Sequence, residues 1–231
     1  MYGGMCTSEY TQSLLNLSES ANNSEGVKLT TIFLGNESLI QRGRNTIAHH
    51  FMNLPDATHL LFIDADMKFR TEDVVRMIKA DKSFIVGPVA LKGYNWEEIR
   101  QAAINGEDEI NRTGGIFNIN KLPGIDMVDE NEPFEIEHGG NAFMMLRRDV
   151  FETLKPHTPI YTNGGASLPD NVEIHDYFRV EINKDTNHLL SEDYFLCHSY
   201  RQLGGKVWCA PWVETGHFGS HLFNGKYSRN N

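Results

Sequence analysis

The sequence predicts an α/β fold in which a mostly parallel sheet is flanked by helices, and two observations predict it. Helical and strand-like patterns alternate over residues 10–91, which is the element order of a doubly wound sheet. The segment THLLFID (58–64) is almost continuously apolar, as are strands buried on both faces of a parallel sheet. Because the 231 residues contain no linker-like stretch, we expect one domain over residues 1–231.

The first half of the chain supplies the alternating elements. Apolar residues at helical spacing, bounded by capping or breaking residues, predict three helices, over 9–23, 37–55 and 71–81. Runs rich in β-branched and other apolar residues predict three strands, over 27–36, 58–63 and 83–91. The stretch MYGGMC at the start resembles a loop that follows a strand, so the first strand of such a sheet is expected to be missing.

The second half is less regular. Two polar excursions, 105–134 and 157–188, predict hairpins or mobile surface segments rather than core. The segment EIEHGGNAFMMLRRDVFETL (135–154) predicts a strand that Gly139 and Gly140 interrupt, running into a helix. SEDYFLCHSYRQLGG (191–205) carries acids in its first turn and glycines at its end, which predicts a helix. KVWCAPWVETGHFG (206–219) predicts the closing strand.

Composition argues against several classes of protein. The formal net charge is −10, which opposes non-specific binding to a phosphate backbone. Cys6, Cys197 and Cys209 are far apart with no Cys-x-x-Cys spacing, so neither a disulfide framework nor a structural zinc site is expected. No apolar run approaches the roughly 18 residues of a membrane span, and the N-terminus lacks the layout of a signal peptide. We therefore expect a cytoplasmic protein without stable membrane insertion.

Two aspartates follow the apolar strand directly, in the sequence FIDADMKF (62–69). On an extended chain Asp64 and Asp66 point to opposite sides, so one can meet a metal while the other meets a ribose hydroxyl or a metal-bound water. Mg²⁺ or Mn²⁺ prefers one or two carboxylates together with phosphate oxygens, and would relieve the repulsion between the two acids. A solvated turn is the alternative explanation for so short a pattern.

Other residues could serve the same ligand. The C-terminal segment TGHFGSHLFNGKY contains His217, His221 and Lys226 among glycines, an arrangement suited to a loop that covers phosphates. Arg42 and Arg44 lie on the face of a predicted helix, where they could bind the diphosphate or base of a nucleotide. A glycine-rich tail and solvated arginines are the alternative explanations.

The order of these motifs resembles the GT-A nucleotide-sugar glycosyltransferases, in particular small phage, giant-virus and bacterial members. The resemblance is carried by four segments that together span most of the chain: strand-Asp-Ala-Asp, HGGNAFMMLRRDVF, SEDYFLCHSYRQLGGKVW and HFGSHLFNGKY. It implies a GT-A, Rossmann-like sheet and a divalent metal, Mn²⁺ or Mg²⁺.

The resemblance also implies roles for single residues. Asp66 would bind the metal directly, Asp64 would contact the ribose or a metal-bound water, and His217 would complete the metal site. The acid pair Glu192-Asp193 matches the position that supplies the general base in inverting members, with Asp193 as the first choice. Acids in a first helical turn also stabilise the helix dipole without any catalytic role.

Tyr2 would line the nucleotide pocket, within the loop that follows the family's first strand. Arg42, Arg44 and Lys226 complete the set of expected donor-binding residues.

The implied activity is transfer of a hexose or pentose from a nucleoside-diphosphate sugar to an acceptor hydroxyl. The acceptor could be a glycan, a protein, a lipid-linked sugar or a modified nucleobase, and a viral protein would act in the host cytoplasm. Two alternatives remain open. One is a nucleotidyltransferase. The other is a non-catalytic module for nucleotide or glycan in which aromatic side chains stack on sugar rings, the candidates being Tyr94, Trp96, Trp208 and Trp212.

Overall fold

A computed structural model describes residues 2–23, 27–108, 110, 113–125, 129–163, 168 and 171–220 of the chain. Within them lie six α-helices: α1 Ser8–Asn23, α2 Ile40–Met52, α3 Thr71–Lys79, α4 Trp96–Asn105, α5 Arg148–Leu154 and α6 Glu192–Gln202. Short 3₁₀ turns occur at Tyr2–Gly4 and Lys155–His157. All three helices predicted in the first half are therefore confirmed, with ends that differ by a few residues.

The strands form one large sheet and several two-stranded ladders. In chain order they are β1 His59–Ile63, β2 Met67–Lys68, β3 Phe84–Val86, β4 Ala90–Tyr94, β5 Gly115–Phe117, β6 Ile119–Lys121, β7 Phe134–Gly139, β8 Phe143–Arg147, β9 Ile160–Asn163, β10 Val172–His175, β11 Glu181–Ile182, β12 Leu189–Leu190, β13 Val207–Cys209 and β14 Gly216–His217. The large sheet has the order β1-β8-β3-β13-β7-β6. The ladders are β2–β14, β4–β5, β9–β10 and β11–β12.

The α/β class with a central sheet between helices is confirmed, but antiparallel pairing is more extensive than a mostly parallel sheet would have. Strands β1, β3 and β13 run in the same direction, with β3 and β13 paired in parallel. Strand β8 enters between β1 and β3 and is antiparallel to both, and β6 is antiparallel to β7. The sequence could not predict that β8 lies between β1 and β3 and runs antiparallel to them, because the apolar pattern of a strand does not show its direction.

Both faces of the sheet are apolar and covered by helices. Along β8, Met144 and Leu146 join one buried cluster, while Phe143 and Met145 join the other, which is the alternation expected of a strand buried on both faces. Helices α2, α5 and α6 contribute to the first cluster, for instance through Phe51, Phe151 and Leu196. Helices α1 and α3 contribute to the second, through Tyr10, Leu17, Val74 and Met77.

Several predictions about single segments are corrected. Residues 27–35 belong to no strand, and Leu29 and Phe33 are exposed. The segment is rich in β-branched residues, but it has no neighbouring strand among the described residues with which to pair. The segment around Gly139 and Gly140 is not one interrupted strand, because β7 and β8 take separate places in the sheet. Residues 2–7 contain no strand, in agreement with the loop expected there.

The first polar excursion differs from the prediction: among its described residues, β5 pairs with β4 across α4, and β6 pairs with β7 in the large sheet. The second excursion contains a ladder of its own, as predicted, because β9 pairs with β10. In the part of the chain that the structure describes, no helix is both long and apolar enough to cross a membrane.

Candidate functional site

Chemically active side chains gather where β1, β3 and β13 end, because the carboxyl ends of strands that run together lie at one edge of the sheet. Asp64 follows β1 and Gly87 follows β3, and both line a cavity of about 190 Å³. The amino end of β8 lies at the same edge, since Phe143 pairs with Ile63. Asn141 and Ala142, just before β8, also line the cavity. The remaining lining residues are Arg44, Val89, Leu91, Asn118, Gly140, Asp193 and His217.

Asp66 does not line this cavity itself, but it contacts two basic groups, one of which, His217, does. We call the surroundings of Asp66 and His217 the mouth of the cavity. Asp66 Oδ2 lies 2.5 Å from the ammonium of Lys92 and 3.7 Å from His217 Nε2. Strand β14 places His217 there by pairing with β2 directly after the aspartates, and the Phe218 N–H donates to the Asp66 carbonyl. The predicted association of Asp66 with His217 is therefore present, although residue spacing could not reveal Lys92.

The imidazole of His217 has a defined tautomer in its neutral form. Its Nδ1 lies 2.8 Å from the Ala90 carbonyl oxygen, which can only accept, so Nδ1 carries the proton. Nε2 then presents a lone pair towards Asp66 Oδ2. A backbone carbonyl that fixes one ring nitrogen in this way is the usual support of a metal-binding histidine.

Asp64 is the inner of the two aspartates and is partly buried. Its N–H donates to the Ala142 carbonyl, and its own carbonyl accepts from the Met67 N–H, which closes a tight turn. Burial raises the pKa of the Asp64 carboxyl, and the charge of Asp66 adds to this, while Arg44 opposes it. The charged form of Asp64 is thus under-compensated, which is the state expected of a carboxylate that is completed by a cation.

Arg44 and Glu192 form an ion pair that joins α2 to the start of α6. Both side chains are nearly buried, with 9% and 12% of their surface exposed. Arg44 reaches the cavity as predicted, but Glu192 neutralises it rather than standing free as a base. Of this ion pair, Arg44 lines the cavity and Glu192 does not.

Asp193 is buried and firmly oriented. Its Oδ1 accepts from the Ser191 hydroxyl and from the Tyr194 N–H at 2.8 Å, and its Oδ2 accepts from the Asn141 N–H at 3.3 Å. A carboxylate has about four lone-pair positions, so these three bonds leave one, on Oδ2. Since Asp193 lines the cavity, that position can receive a proton from a ligand hydroxyl.

The structure adds two asparagines that the sequence analysis missed. Asn141 is only 1% exposed. Asn118 lies opposite Gly140 and accepts from the Tyr194 hydroxyl, and a Cβ on Gly140 would come within 2.6 Å of Asn118 Nδ2. A glycine is therefore needed at 140 for this approach. The HGGN motif pointed to the place, but a neutral side chain carries no charge pattern that would single it out.

Not all predicted donor-binding residues reach the cavity. Arg42 is bound to Glu37 at 2.7–2.8 Å, and this pairing holds the pKa of Glu37 below its usual value; Arg42 is not among the lining residues. Tyr2 starts the first 3₁₀ turn, and its side chain lies outside the described part. Lys226 and His221 also lie outside the described residues.

The four aromatic residues considered for sugar stacking divide into two pairs. Trp212 is buried, and Trp208 packs partly buried against the second core cluster, so both are structural. Tyr94 and Trp96 are 57% and 65% exposed, with ring centroids 5.2 Å apart. They follow Leu91, which lines the cavity, and Lys92 along the chain, at the end of β4 and the start of α4.

Asp66 and His217 are the candidate ligands for a divalent metal at the mouth. No group of three or more His, Cys, Asp or Glu side chains among the described residues is arranged to hold an ion. The pair Asp66–His217 comes close to such a site: its ligand atoms are 3.7 Å apart, whereas two neighbouring ligands with bond lengths of ~2.1 Å in an octahedral site are about 3 Å apart. Mg²⁺ and Mn²⁺ are commonly held by one or two side chains plus phosphate oxygens. Two protein ligands are thus compatible with a metal that arrives with a nucleotide.

Comparison with known proteins gives limited information. No protein-family model and no curated protein matches the chain. The solved structure of A197 from STIV is similar over 93% of this chain and 91% of that one, with 12% identity and a TM-score of 0.47. GalNAc-T7, solved with UDP, GalNAc and Mn²⁺, is similar over 94% of this chain but 36% of its own, with 13% identity and a TM-score of 0.43. Likeness this distant carries no inference about activity.

Proposed function

We propose that this chain is a metal-dependent glycosyltransferase with a GT-A fold, formed as one domain over residues 1–231. It would move a hexose or pentose from a nucleoside-diphosphate sugar to an acceptor hydroxyl. The observation that carries the proposal is the convergence of Asp64 and Asp193 on one cavity with Asp66 and His217 at its mouth. The order of the sequence motifs, which resembles that family, supports the same reaction.

Metal and diphosphate belong at the mouth. Asp66 and His217 are the residues that would hold Mn²⁺ or Mg²⁺ there, with Asp64 facing the ribose or a metal-bound water. When bound, the metal supplies positive charge that stabilises the departing nucleoside diphosphate. Lys92, which already contacts Asp66, is a second cation within reach of the phosphates. Tyr2, Arg42 and Lys226 remain proposed donor contacts.

Asp193 is the proposed base. The three hydrogen bonds described above fix its carboxylate, and they leave one lone pair of Oδ2 for a ligand hydroxyl in the cavity that Asp193 lines. It would take the proton of the acceptor hydroxyl as that oxygen forms its bond to the anomeric carbon and the bond to the diphosphate breaks. Positioning within hydrogen-bond reach matters more for such a weak base than its proton affinity. Glu192 acts indirectly, by holding Arg44.

The proposal is tested by incubating the protein with Mn²⁺ and a panel of nucleotide sugars, with thermal shift and release of free nucleotide as readouts. We expect one donor to raise the melting temperature and to be hydrolysed slowly, and Asp193→Asn to keep the shift while losing release. Pyrophosphate release from nucleoside triphosphates instead would indicate a nucleotidyltransferase. Binding without any release from any donor would indicate a non-catalytic module.

The acceptor and the compartment are also proposals. The acceptor hydroxyl would approach past Tyr94 and Trp96, whose exposed rings can pack on a sugar ring of a glycan. The three cysteines are free thiols, which suits a reducing cytoplasm.

A further inference from the structure

The carboxamide of Asn141 is buried without hydrogen bonds. The residue is 1% exposed and lines the cavity, and neither Oδ1 nor Nδ2 has a partner among the described residues. More than about 90% of buried polar groups in proteins are hydrogen-bonded, and an unsatisfied one costs roughly 1–3 kcal/mol. Both atoms have almost no accessible surface as they stand. A side chain that lacks both kinds of bond at the wall of a cavity is therefore expected to turn towards a ligand there.

The backbone fixes where this carboxamide stands. The Asn141 N–H donates to Asp193 Oδ2 at 3.3 Å, so the residue is tied to the proposed base. The preceding Gly140 packs against Asn118, and its N–H donates to the Asn118 carbonyl at 3.1 Å. If Asp193 is the base, it contacts the acceptor hydroxyl that attacks the transferred sugar. Asn141, which is hydrogen-bonded to Asp193, is therefore held next to that sugar.

The surrounding charges select the kind of ligand. Asp64 and Asp193 are acidic. Of the two basic residues among the described lining residues, Arg44 and His217, the first is paired with Glu192. His217 lies towards the mouth with Asp66. A phosphate or carboxylate at Asn141 would face these acids without a free cation among the described residues. A neutral ligand is favoured.

The hydrogen-bonding groups of the Asn141 carboxamide narrow the kind of ligand further. Its oxygen accepts and its NH₂ group donates, so both are satisfied together by two adjacent groups of which one gives and one takes a hydrogen bond. Two neighbouring hydroxyl groups on a pyranose ring have this chemistry. An anion would satisfy the NH₂ group only.

We propose that Asn141 is a specificity-determining residue that recognises two adjacent hydroxyl groups of the transferred sugar. This inference rests on the proposed glycosyl transfer, and it narrows the donor to a neutral sugar with an unsubstituted vicinal diol. It also places recognition of the sugar and orientation of the base on one residue, through the side chain and the backbone of Asn141.

The test uses the donor identified in the nucleotide-sugar panel and its monodeoxy analogues, with wild type, Asn141→Ala and Asn141→Asp. For the intact donor we expect kcat/KM to fall roughly 10- to 100-fold in both variants. Two of the analogues each lack one of the recognised hydroxyl groups. With these analogues, kcat/KM of wild type should fall by most of the same factor, whereas kcat/KM of Asn141→Ala should fall little below its value for the intact donor. The free nucleoside diphosphate with Mn²⁺ should bind all three proteins equally, because it lacks the transferred sugar.

The outcomes separate this inference from the proposed function. Asn16→Ala, on the exposed surface of α1, is the control and should match wild type with every donor. Two outcomes would overturn the role of Asn141 and leave the proposed function standing. In one, Asn141→Ala turns over the donor as fast as wild type does. In the other, Asn141→Ala lowers turnover by the same factor for every analogue. Absence of turnover by folded wild type with any donor overturns the proposed function and this inference with it. If Asn141→Ala does not fold, the nearly isosteric Asn141→Asp decides.

Discussion

The Lys92 ammonium lies 2.5 Å from Asp66 Oδ2, the same carboxylate oxygen that faces His217 Nε2. A divalent cation at Asp66 must therefore compete with Lys92. Both side chains are partly exposed, so this ion pair is worth only about 0.2–1 kcal/mol. Lysine here is a weak competitor for the metal.

Replacing Lys92 with methionine should tighten Mn²⁺ binding in the absence of nucleotide. The expected gain is about two- to fivefold in Kd, the equivalent of the lost ion pair, measured by isothermal titration. Lys184→Met removes the same charge from an exposed turn and should leave Kd unchanged.

Asp66→Ala should abolish metal-dependent nucleotide binding; undiminished binding in that variant would remove Asp66 from the metal site.

Asp193→Asn should separate binding from turnover. The amide keeps the size of the side chain but cannot take a proton, so transfer should fall roughly 100-fold or more while donor affinity persists. Single-turnover kinetics and donor titration measure the two quantities. Equal loss of both would mean that Asp193 positions the donor rather than accepting the proton.

Breaking the Arg44–Glu192 pair should destabilise the protein more than a helix-dipole effect would. Glu192→Ala leaves the Arg44 guanidinium buried without its partner, which costs about 3–5 kcal/mol, against roughly 0.3–1 kcal/mol for an acid in a first helical turn. Urea unfolding measures the difference. The exposed pair Arg100–Glu97 is the control, and Glu97→Ala should change stability by less than about 1 kcal/mol.

Asp64→Asn should stabilise the metal-free protein at neutral pH. Because burial raises the pKa of Asp64 in the folded state, the unfolded chain ionises first, and stability falls as pH rises above the ordinary aspartate pKa towards the raised one. The amide cannot ionise, so its advantage in melting temperature should grow from about pH 4 upwards and vanish below it.

The surface variant Asp56→Asn, whose side chain is exposed, should show no such pH-dependent gain. An Asp64→Asn protein that melts below wild type at pH 7 would indicate that Arg44 already compensates the charge of Asp64.

Sequence analysis predicted the α/β class and several residues of the candidate site. A run of apolar residues ending in Asp-Ala-Asp fixes both the strand and the edge where Asp64 and Asp66 lie. That His217 joins them was expected only from the resemblance. Asp193 followed from the resemblance, which supplied its position in a helix start.

Other features depend on tertiary contacts that no local pattern contains. The segment 27–36 has strand-like composition, yet strands exist only where a neighbour completes the hydrogen bonds. Lys92 looks like an ordinary surface charge in the sequence, and Glu192 stands out only as a possible base, because their partners, Asp66 and Arg44, are far away along the chain. Asn141 carries no charge, so only its burial reveals it.

The position of β8 and β13 in the sheet has a consequence for folding. Strand β8 pairs with β1 across about 80 intervening residues, and β13 pairs with β3 across about 120. Contacts so distant along the chain close large loops before they gain stability, which slows folding relative to domains with local pairings. Asp64, Asn141 and Asp193 come from three of these distant segments. A partly synthesised chain therefore cannot assemble the cavity, and catalytic competence should appear only with the last, slowest kinetic phase of refolding.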